Sequence, residues 1–508
     1  MMEYILGVDL GTSGTKTVLF DKTGKKIASS TVEYELFTPK NGWAEQDPND
    51  WLNATISTIK HVVQKSGVAK EDIKGLGISG QMHGLVMVDK NGDVIRNAIL
   101  WCDGRTGLEC AEITEKVGKE RLIEISANPA LTGFTAGKVV WVKKHEPENY
   151  AKCYKMLLPK DYVRFKLTGN YGAEVSDASG TNLFDINTKE WSKEILDKLE
   201  IDINLLPEIK NSVDVAGKIT DKIAEQTGLS TDTLVCYGAA DNAAAAIGTG
   251  VVSTGKAFTT IGTSGVIFVH SDKPLIDKKG RVHTFCSAVP DKYTLMSCTL
   301  SAGMSLKWFR DNFCNDEISV AKHLNKDSYD IINEGVANIP IGSDKLIFLP
   351  YLMGERSPIL DEKSRGVFFG LNTIHTKYHM LRAIMEGVMF SQWHCLDVIR
   401  KLGVSTNLMY ACGGGAKSEL WRAMMADMYN VDVTTVKNEE GPALGVAILA
   451  TVACGMYKSV EAACEVMVEE KEKVAPTNNC LEYKKYYEIY KNLYLALATS
   501  FEQLSYLK

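Results

Sequence analysis

The sequence predicts an α/β protein of two domains with a cleft between them. A Gly-Thr-Ser-Gly motif occurs twice, at Gly11–Gly14 and at Gly262–Gly265, half a chain apart. Strand-like and helical runs alternate in both halves, as they do in α/β folds. A chain of 508 residues is also too long for one ordinary core. A duplicated domain explains this recurrence better than chance turn composition does.

Each copy of the motif lies between two strand-like runs. Tyr4–Val8 and Thr17–Phe20 flank the first copy, and Ala257–Ile261 and Val266–Val269 flank the second. We therefore expect both copies to be bends of β-hairpins. Glycine has no Cβ and tolerates positive φ, so backbone N–H groups at such a bend can approach phosphate oxygens closely. Taken alone, either copy can also be a tight turn without a ligand.

The N-terminal half continues with one clear helix and several short strands. The helix has an apolar stripe from Trp51 to Val63, and it begins near Asp47 or Asn49, either of which can cap it. Strand-like runs follow at Leu76–Ser79, Leu85–Val88 and Ala98–Trp101.

A small-residue helix, Asp241–Ile247, closes the N-terminal half. The glycines that follow it, Gly248, Gly250 and Gly255, suit a hinge. The predicted domains are therefore residues 1–248 and 256–508.

The C-terminal half repeats the alternation and ends in helices. Its predicted elements are the strands Ile347–Tyr351 and Leu408–Cys412, the helices Tyr378–Leu402 and Ser418–Tyr429, a buried helix over Ala443–Gly455, and a tyrosine-rich terminal helix containing Tyr483, Tyr487 and Tyr490.

Composition excludes several classes of partner. The net charge is −6 and no cluster of lysine or arginine is present, which argues against nucleic acid. The longest apolar run, Ala443–Gly455, is too short to span a bilayer, and Glu3 and Asp9 fall where a secretory signal would be apolar. We expect a cytoplasmic protein with small-molecule partners and no membrane contact. The sequence does not settle the oligomeric state, for which a homodimer is one option.

Neither the cysteines nor the histidines predict a metal site. The 12 cysteines have no Cys-x-x-Cys spacing and lie among apolar residues, as buried free thiols do. His375 and His379 have the i, i+4 spacing of a helical metal pair, but Thr376 stands where a zinc protease needs its glutamate.

Two aspartates are candidates for chemistry. Asp9 ends an apolar strand directly before the first bend, where a magnesium ion on nucleotide phosphates would satisfy the carboxylate. An Asx turn is the alternative. Asp241 begins the alanine-rich helix beside Asn242, and the four alanines after Asn242 leave a wall open to a polyol. A simple helix cap is the alternative for Asp241.

Two loops complete the candidate site. His83 is flanked by glycine after a short strand, and beside Gln81 it offers hydrogen bonds to sugar hydroxyls, although a satisfied surface histidine is the alternative. Gly413–Gly415 follow a strand and precede a helix that starts near Ser418, a placement that lets a nucleotide lie against bare backbone. Gly250–Ala257 resembles a P-loop, but Ala257 replaces the magnesium-binding hydroxyl and a strand follows it.

Longer segments carry a family resemblance. Gly133–His145 and Gly366–Glu386 resemble the two signature segments of the FGGY class of sugar kinases, within the actin, sugar kinase and Hsp70 ATPase superfamily. The resemblance covers nearly the whole chain, and it implies two ribonuclease-H-like domains around a central cleft. Within the class, Gly80–Gly84, Ile99–Arg105 and Pro350–Pro358 most resemble the kinases that act on D-xylulose.

The resemblance implies an activity and a set of site residues. The activity is ATP-dependent phosphorylation of D-xylulose to D-xylulose 5-phosphate, with ATP and Mg²⁺ as cofactors. It implies that Asp241 is the general base and that Asp9 helps to place the metal. The sugar would meet Gln81, Met82, His83 and Asn242. The nucleotide would meet Thr12, Ser13, Lys16, Gly262, Thr263, Gly303, Trp308, Gly414, Gly415 and Ser418.

Three alternatives to this activity are open. Another kinase of the class could act on L-xylulose, ribulose or a related polyol, because epimer preference depends on fine placement of hydroxyl partners. A nucleotide-switched protein of the Hsp70 type would need a peptide-binding domain, for which the sequence leaves no room. A sugar-sensing regulator would need a nucleic-acid-binding segment, and none is visible.

Overall fold

Residues 3–507 are described by a computed structural model. They divide into two units, each with its own sheet. Unit one comprises the chain up to Ser253 together with two later segments, His270–Thr294 and Lys437–Glu469. Unit two comprises Thr254–Val269, Leu295–Val436 and the chain from Glu470 onward.

The first half of the chain alternates short strands with helices. In chain order the elements are β1 (Tyr4–Leu10), β2 (Gly14–Asp21), β3 (Lys26–Glu33), β4 (Glu45–Gln46), α1 (Pro48–Ser66), β5 (Ile73–Gly80), β6 (Val86–Val88), β7 (Ala98–Ile99), α2 (Gly107–Val117), α3 (Lys119–Ser126), α4 (Thr135–His145), α5 (Pro147–Lys152), β8 (Lys155–Leu157), α6 (Pro159–Thr168), β9 (Ala173–Glu174), α7 (Val175–Ala178), β10 (Phe184–Asp185), β11 (Glu190–Trp191), α8 (Lys193–Leu199), β12 (Ile209–Lys210), β13 (Val215–Lys218), α9 (Asp221–Thr227), β14 (Leu234–Cys236), β15 (Ala239–Ala240) and α10 (Asp241–Gly248).

The second half has longer helices. Its elements are β16 (Gly255–Ile261), β17 (Gly265–Ser271), β18 (His283–Cys286), β19 (Tyr293–Thr299), α11 (Gly303–Phe313), α12 (Asn315–Leu324), α13 (Ser328–Val336), β20 (Ile347–Leu349), β21 (Val367–Phe369), α14 (Lys377–Lys401), β22 (Thr406–Cys412), α15 (Glu419–Tyr429), β23 (Asp432–Thr434), α16 (Gly441–Ala453), α17 (Val460–Met467) and α18 (Asn479–Ser505).

The sheet of unit one has the order β13-β14-β5-β1-β2-β3, with β15 also paired to β5. β1 and β2 form an antiparallel hairpin in which Asp9 lies opposite Lys16. β1 and β5 are parallel, and Asp9 lies opposite Ser79 on that side. β15 brings Ala240 opposite Gly80 at the end of β5. The register therefore places the end of β1 and the start of α10 next to the same strand.

Helix α16 packs on this sheet with almost no space between backbones. A Cβ at Gly7 would lie 1.9 Å from the carbonyl oxygen of Ala443, and one at Gly77 would lie 2.1 Å from that of Val446. Against α10, a Cβ at Gly445 would lie 1.8 Å from the carbonyl oxygen of Ala244. These glycines therefore allow α16 to contact both the sheet and α10 directly.

Unit two is built on the same plan. Strands β19, β17, β16, β22 and β23 lie side by side in that order. β16 and β17 form an antiparallel hairpin, and β16 and β22 are parallel. Both Gly-Thr-Ser-Gly copies are therefore hairpin bends, as the sequence predicted.

The predicted helices are confirmed. Asp47 caps α1, because its carboxylate accepts a hydrogen bond from the N–H of Asn49 at 2.9 Å. α14, α15 and α16 occupy the predicted segments, and α16 is buried along most of its length. In the terminal helix the Tyr490 hydroxyl lies 2.8 Å from that of Tyr351, so the tyrosine-rich stretch packs inward.

His375 and His379 hold the start of α14. His379 Nδ1 lies 2.9 Å from the Thr376 hydroxyl, and its Nε2 lies 3.0 Å from a carboxylate oxygen of Asp344. His375 Nε2 lies 3.1 Å from the backbone oxygen of Asp344. Both imidazoles therefore serve a helix terminus.

Residues 3–507 contain no group of three or more His, Cys, Asp or Glu side chains arranged to hold a metal ion. None of the helices in this range has the length and apolar character needed to cross a membrane. All 12 cysteines lie within it as free thiols.

Gly445→Ala should destabilise unit one, because the added Cβ would collide with the Ala244 carbonyl and force the two helices apart. We expect a loss of about 1–3 kcal/mol in the free energy of unfolding, measured by urea titration. Gly107→Ala is the control, since a Cβ there meets no atom within 4 Å. Equal stability of the two variants would contradict the packing described for α16.

Candidate active site

The first bend is fixed by a hydrogen bond within it and by hydrogen bonds to three residues outside it. Gly11 N donates to Gly14 O at 3.0 Å and closes the turn. The Thr12 hydroxyl donates to Gln81 Oε1 at 3.2 Å and accepts from Trp101 Nε1 at 3.0 Å. The amide of Gln46 donates to Thr12 O at 2.7 Å. Thr12 is therefore fixed, whereas its neighbour in the bend, Ser13, is exposed.

Lys16, close to this bend in β2, is ion-paired. Its ammonium group forms an ion pair with Glu440, and Lys26 forms a second one with the same carboxylate at 2.8 Å. Burial raises the pKa of Glu440, but the bonds from Lys16 and Lys26 outweigh burial and hold that pKa below its usual range. Glu440 directly precedes α16, so this ion pair joins the first hairpin to the segment that returns to unit one.

Asp9 lies at the end of β1, opposite Lys16 in the hairpin. Its Oδ1 accepts a hydrogen bond from the Ser79 hydroxyl at 2.8 Å. Burial raises the pKa of Asp9, opposed by the Ser79 bond and the charge of Lys16. Because its partner is Ser79 on the neighbouring strand, Asp9 is oriented by the sheet, and this contact differs from the Asx turn considered above.

Asp241 is the first residue of α10 and is half-buried. Its Oδ1 accepts from the backbone N–H of Asn242 at 2.6 Å and from the Asn242 side-chain amide at 3.1 Å. Burial, reinforced by the negative charge of Asp9, raises the pKa of Asp241 to about 7 in spite of these bonds. A carboxyl with this pKa can accept or release a proton near neutral pH.

The alanines after Asn242 serve helix packing. Ala244 and Ala246 are buried, and the Ala244 carbonyl is the atom that Gly445 approaches. Small side chains in α10 are thus explained by its contact with α16, whereas the sequence suggested an open wall of a pocket. The polar groups at the start of the helix remain the candidate ligand contacts.

Met82 contacts Asn242, and His83 is the next residue in the chain. The Asn242 amide lies 3.8 Å from the sulfur of Met82. His83 is buried, whereas the sequence suggested an open loop position, and its φ of 67° is in the left-handed region. Its Nδ1 lies 2.7 Å from Gly180 O. A carbonyl oxygen only accepts, so Nδ1 carries the hydrogen of this bond.

The side chain of Gln81 forms hydrogen bonds to other residues of the protein. Its amide donates to Gln46 Oε1 at 2.9 Å, and its carbonyl accepts from Thr12. These bonds link the loop of Met82 and His83 to the first bend. A direct contact between Gln81 and a sugar stays a prediction.

Several neighbours of the site were not found from the sequence. The ring of Phe134 lies 4.5 Å from that of His83, and Phe285 lies 6.3 Å from it. Gly180 holds His83, and Ser176 contacts the residue before Asp241. Phe134 belongs to the predicted signature segment, which could have indicated it. No local pattern distinguishes Ser176 or Gly180 from other small buried residues.

In unit two, the second bend contacts two other glycine-containing segments. Gly262 and Thr263 in the bend are exposed. A Cβ at Gly303 would lie 2.4 Å from Gly262 O, and one at Gly415 would lie 2.7 Å from the Ile261 Cβ. The start of α11 and the loop after β22 therefore lie directly against the end of β16.

The remaining predicted nucleotide contacts border these segments. Gly414 and Gly415 form a short 3₁₀ turn before α15, and Ser418 caps that helix through a 3.4 Å bond from Trp421 N. Trp308 projects from α11 with 37% of its surface exposed, enough to offer a ring face to a ligand. Unit two thus brings Gly262, Thr263, Gly303, Gly414 and Gly415 together.

Comparison with known protein families identifies this arrangement. Residues 4–248 match the model of the N-terminal domain of the FGGY family of carbohydrate kinases. Residues 257–454 match the model of the C-terminal domain of the same family. The chain belongs to the FGGY family.

Relatives of known name span the whole FGGY chain. It is 42% identical over 494 residues to a xylulose kinase of Bacillus subtilis, covering 97% of both chains. A ligand-bound xylulose kinase structure from Lactobacillus acidophilus superposes with a TM-score of 0.91 at 28% identity, over 99% of this chain and 100% of the other. A gluconate kinase structure from the same organism gives 0.92 at 28% identity, with the same coverage. The predicted two-domain sugar kinase fold is confirmed.

The family models and the structural units divide this FGGY kinase differently. The C-terminal family domain includes α16, whereas α16 packs within unit one, beside Asp9 and Asp241. The candidate base is therefore supported by residues from both family domains.

Asp241→Asn should change stability in a pH-dependent way. The pKa of Asp241 in the folded protein, about 7, lies above the ordinary aspartate value of about 3.9, so the native protein loses stability as the pH rises between these values. Removing the ionisable group abolishes that loss. Since the side chain is partly exposed, we expect the gain in unfolding free energy to be roughly 2 kcal/mol larger at pH 8 than at pH 5.

Urea unfolding at both pH values measures this difference. Asp221→Asn is the matched control, because Asp221 occupies the same first position of α9 and is exposed. A gain in Asp241→Asn that is the same at pH 5 and pH 8 would rule out a raised pKa.

Proposed function

We propose that this FGGY kinase transfers the γ-phosphoryl group of ATP to the terminal hydroxyl of D-xylulose. The observation that carries the proposal is the half-buried Asp241 with its raised pKa, beside Asn242, whose amide also contacts Met82. The full-length similarity to a xylulose kinase supports the ketose as substrate.

The first step of the proposed mechanism is removal of a proton from the sugar hydroxyl. Oδ1 of Asp241 accepts both bonds from Asn242, which leaves Oδ2 to accept the proton. A base with a pKa near the working pH is suited to this transfer. The second requirement is orientation, for which His83 and Asn242 are the proposed contacts to other hydroxyl groups of the sugar. These contacts would align the attacking oxygen.

Each unit carries its own proposed nucleotide contacts. In unit one, Thr12, Ser13 and Lys16 would contact phosphate oxygens. In unit two, Gly262 and Thr263 would contact phosphate oxygens, and Gly303, Trp308, Gly414, Gly415 and Ser418 would contact the nucleoside. Phosphoryl transfer needs mainly such positioning and charge neutralisation. Lys16 already faces Glu440, so its ammonium is held beside the bend.

The donor set at Asp9 fits Mg²⁺. A carboxylate oxygen is a hard ligand of the kind that this ion prefers, and the Ser79 bond to Oδ1 fixes the orientation of the group. Mg²⁺ bound with ATP would neutralise charge on the transferred phosphoryl group. We propose Asp9 as its protein ligand.

Asp241→Ala should greatly slow phosphoryl transfer while leaving ATP binding intact. Loss of a general base lowers turnover by about 10² to 10⁴-fold. Turnover is measured by ADP release with D-xylulose, and nucleotide binding by calorimetric titration. Asp221→Ala, at the same helix position in α9, should keep wild-type turnover. Near-normal turnover of Asp241→Ala would overturn its assignment as the base.

The substrate is tested with a panel of acceptors. ADP release is compared for D-xylulose, L-xylulose, D-ribulose, glycerol and gluconate at equal concentrations. We expect the highest kcat/KM with D-xylulose, because the chain is similar over nearly its full length to a xylulose kinase. A higher kcat/KM with gluconate would place a carboxylate in the site and contradict the proposed substrate.

A further inference from the structure

A cluster of buried charged residues in unit one is linked by hydrogen bonds to the residue before the candidate base. Its members are Lys160, Asp161, Arg164, Glu174 and Asp177, and none of their side chains is exposed. Lys160 Nζ lies 2.8 Å from Asp161, 3.2 Å from Glu174 and 3.1 Å from Asp177. Arg164 donates to Asp161 at 2.6 Å. A group of this kind is costly to bury, and its geometry is strongly constrained by the need to pair every charge.

Asp177 is strongly affected by its burial in this cluster. Burial raises the pKa of Asp177, and the positive charge of Lys160 opposes this shift. The ion pairs of Lys160 and Arg164 hold the acidic side chains in fixed positions.

Ser176 connects this cluster to the candidate base. Glu174 accepts from the Ser176 hydroxyl at 2.9 Å and from the Ser176 N–H at 2.8 Å. The same hydroxyl accepts the backbone N–H of Ala240 at 3.1 Å. Ala240 directly precedes Asp241, at the position where α10 begins. One side-chain oxygen therefore ties the start of this helix to the buried cluster.

The same segment also holds His83. Gly180, four residues after Ser176, accepts the bond that fixes the His83 ring. A Cβ at Gly180 would lie 2.6 Å from His83 Cε1, so the contact is close. The segment from Glu174 to Gly180 therefore contacts the start of α10 through Ser176 and the ring of His83 through Gly180.

We propose that Ser176 is a positioning residue for Asp241. Its hydroxyl, oriented by Glu174, fixes the backbone at Ala240 and thereby sets the direction in which the Asp241 carboxylate meets the sugar hydroxyl. The inference rests on the proposed function, in which Asp241 is the base. A displacement of about 1 Å in a reacting group can cost 10²-fold in rate, which makes such a tether effective.

Ser176→Ala leaves the Ala240 N–H without this acceptor. We expect kcat on D-xylulose to fall by about 10 to 100-fold, because the base is no longer held in its reactive position. The KM for ATP should stay within about twofold of wild type, since the nucleotide contacts are elsewhere. Ser176→Thr keeps the hydroxyl and should recover most of the lost kcat.

Thr181→Ala is the matched control. Thr181 lies in the next turn, and its buried hydroxyl donates to Ala178 O at 2.7 Å and accepts from Leu183 N at 3.1 Å. The Thr181→Ala variant should lose about as much stability as Ser176→Ala, measured by thermal unfolding, but should keep the wild-type kcat. Equal kcat in Ser176→Ala and Thr181→Ala at equal stability would overturn the positioning role.

A double-variant cycle separates this inference from the base assignment. If Ser176 acts through Asp241, Ser176→Ala should lower kcat by less than about twofold in the Asp241→Asn background. An equal loss in both backgrounds would overturn the positioning role and leave Asp241 as the base. High turnover of Asp241→Asn itself would overturn the base assignment, and the role of Ser176 with it.

Discussion

The close contact between α16 and the core of unit one constrains the rest of the site. Glycines at positions 7, 77 and 445 let the helix backbone touch β1, β5 and α10, and a Cβ at any of them would overlap a carbonyl oxygen. β1 ends at Asp9, β5 leads to the loop of His83, and α10 starts at Asp241. One helix thus fixes three elements whose ends carry the candidate catalytic groups, although it comes from the distant C-terminal part of the sequence.

The electrostatics of the site follow from this packing. Asp9 and Asp241 are held close enough for one negative charge to raise the pKa of the other carboxyl. Lys16 cannot offset this fully, because Glu440 occupies its ammonium group. The raised pKa of Asp241 lowers the stability of the folded protein at neutral pH, and it also gives a carboxyl that can exchange protons near that pH. Such a conflict between local stability and the proposed chemistry is common at active sites.

Much of the fold was predictable because it depends on local patterns. The two hairpin bends follow from glycine between strand-like runs, and α14, α15 and the buried helix α16 follow from apolar periodicity. The burial of His83 and the packing role of the alanines in α10 were not predicted, since both depend on residues far away in sequence. Asp9 and Asp241 were recognisable from their positions at element ends, whereas Ser176 was not: its importance lies in one hydrogen bond to Ala240, 64 residues away.

A crystal structure with D-xylulose bound in the absence of nucleotide tests the central claim most directly. We expect the terminal hydroxyl oxygen within about 3.2 Å of Oδ2 of Asp241. A sugar bound away from Asp241, or one whose terminal hydroxyl points away from this carboxylate, would contradict the assignment of the base and of the acceptor site.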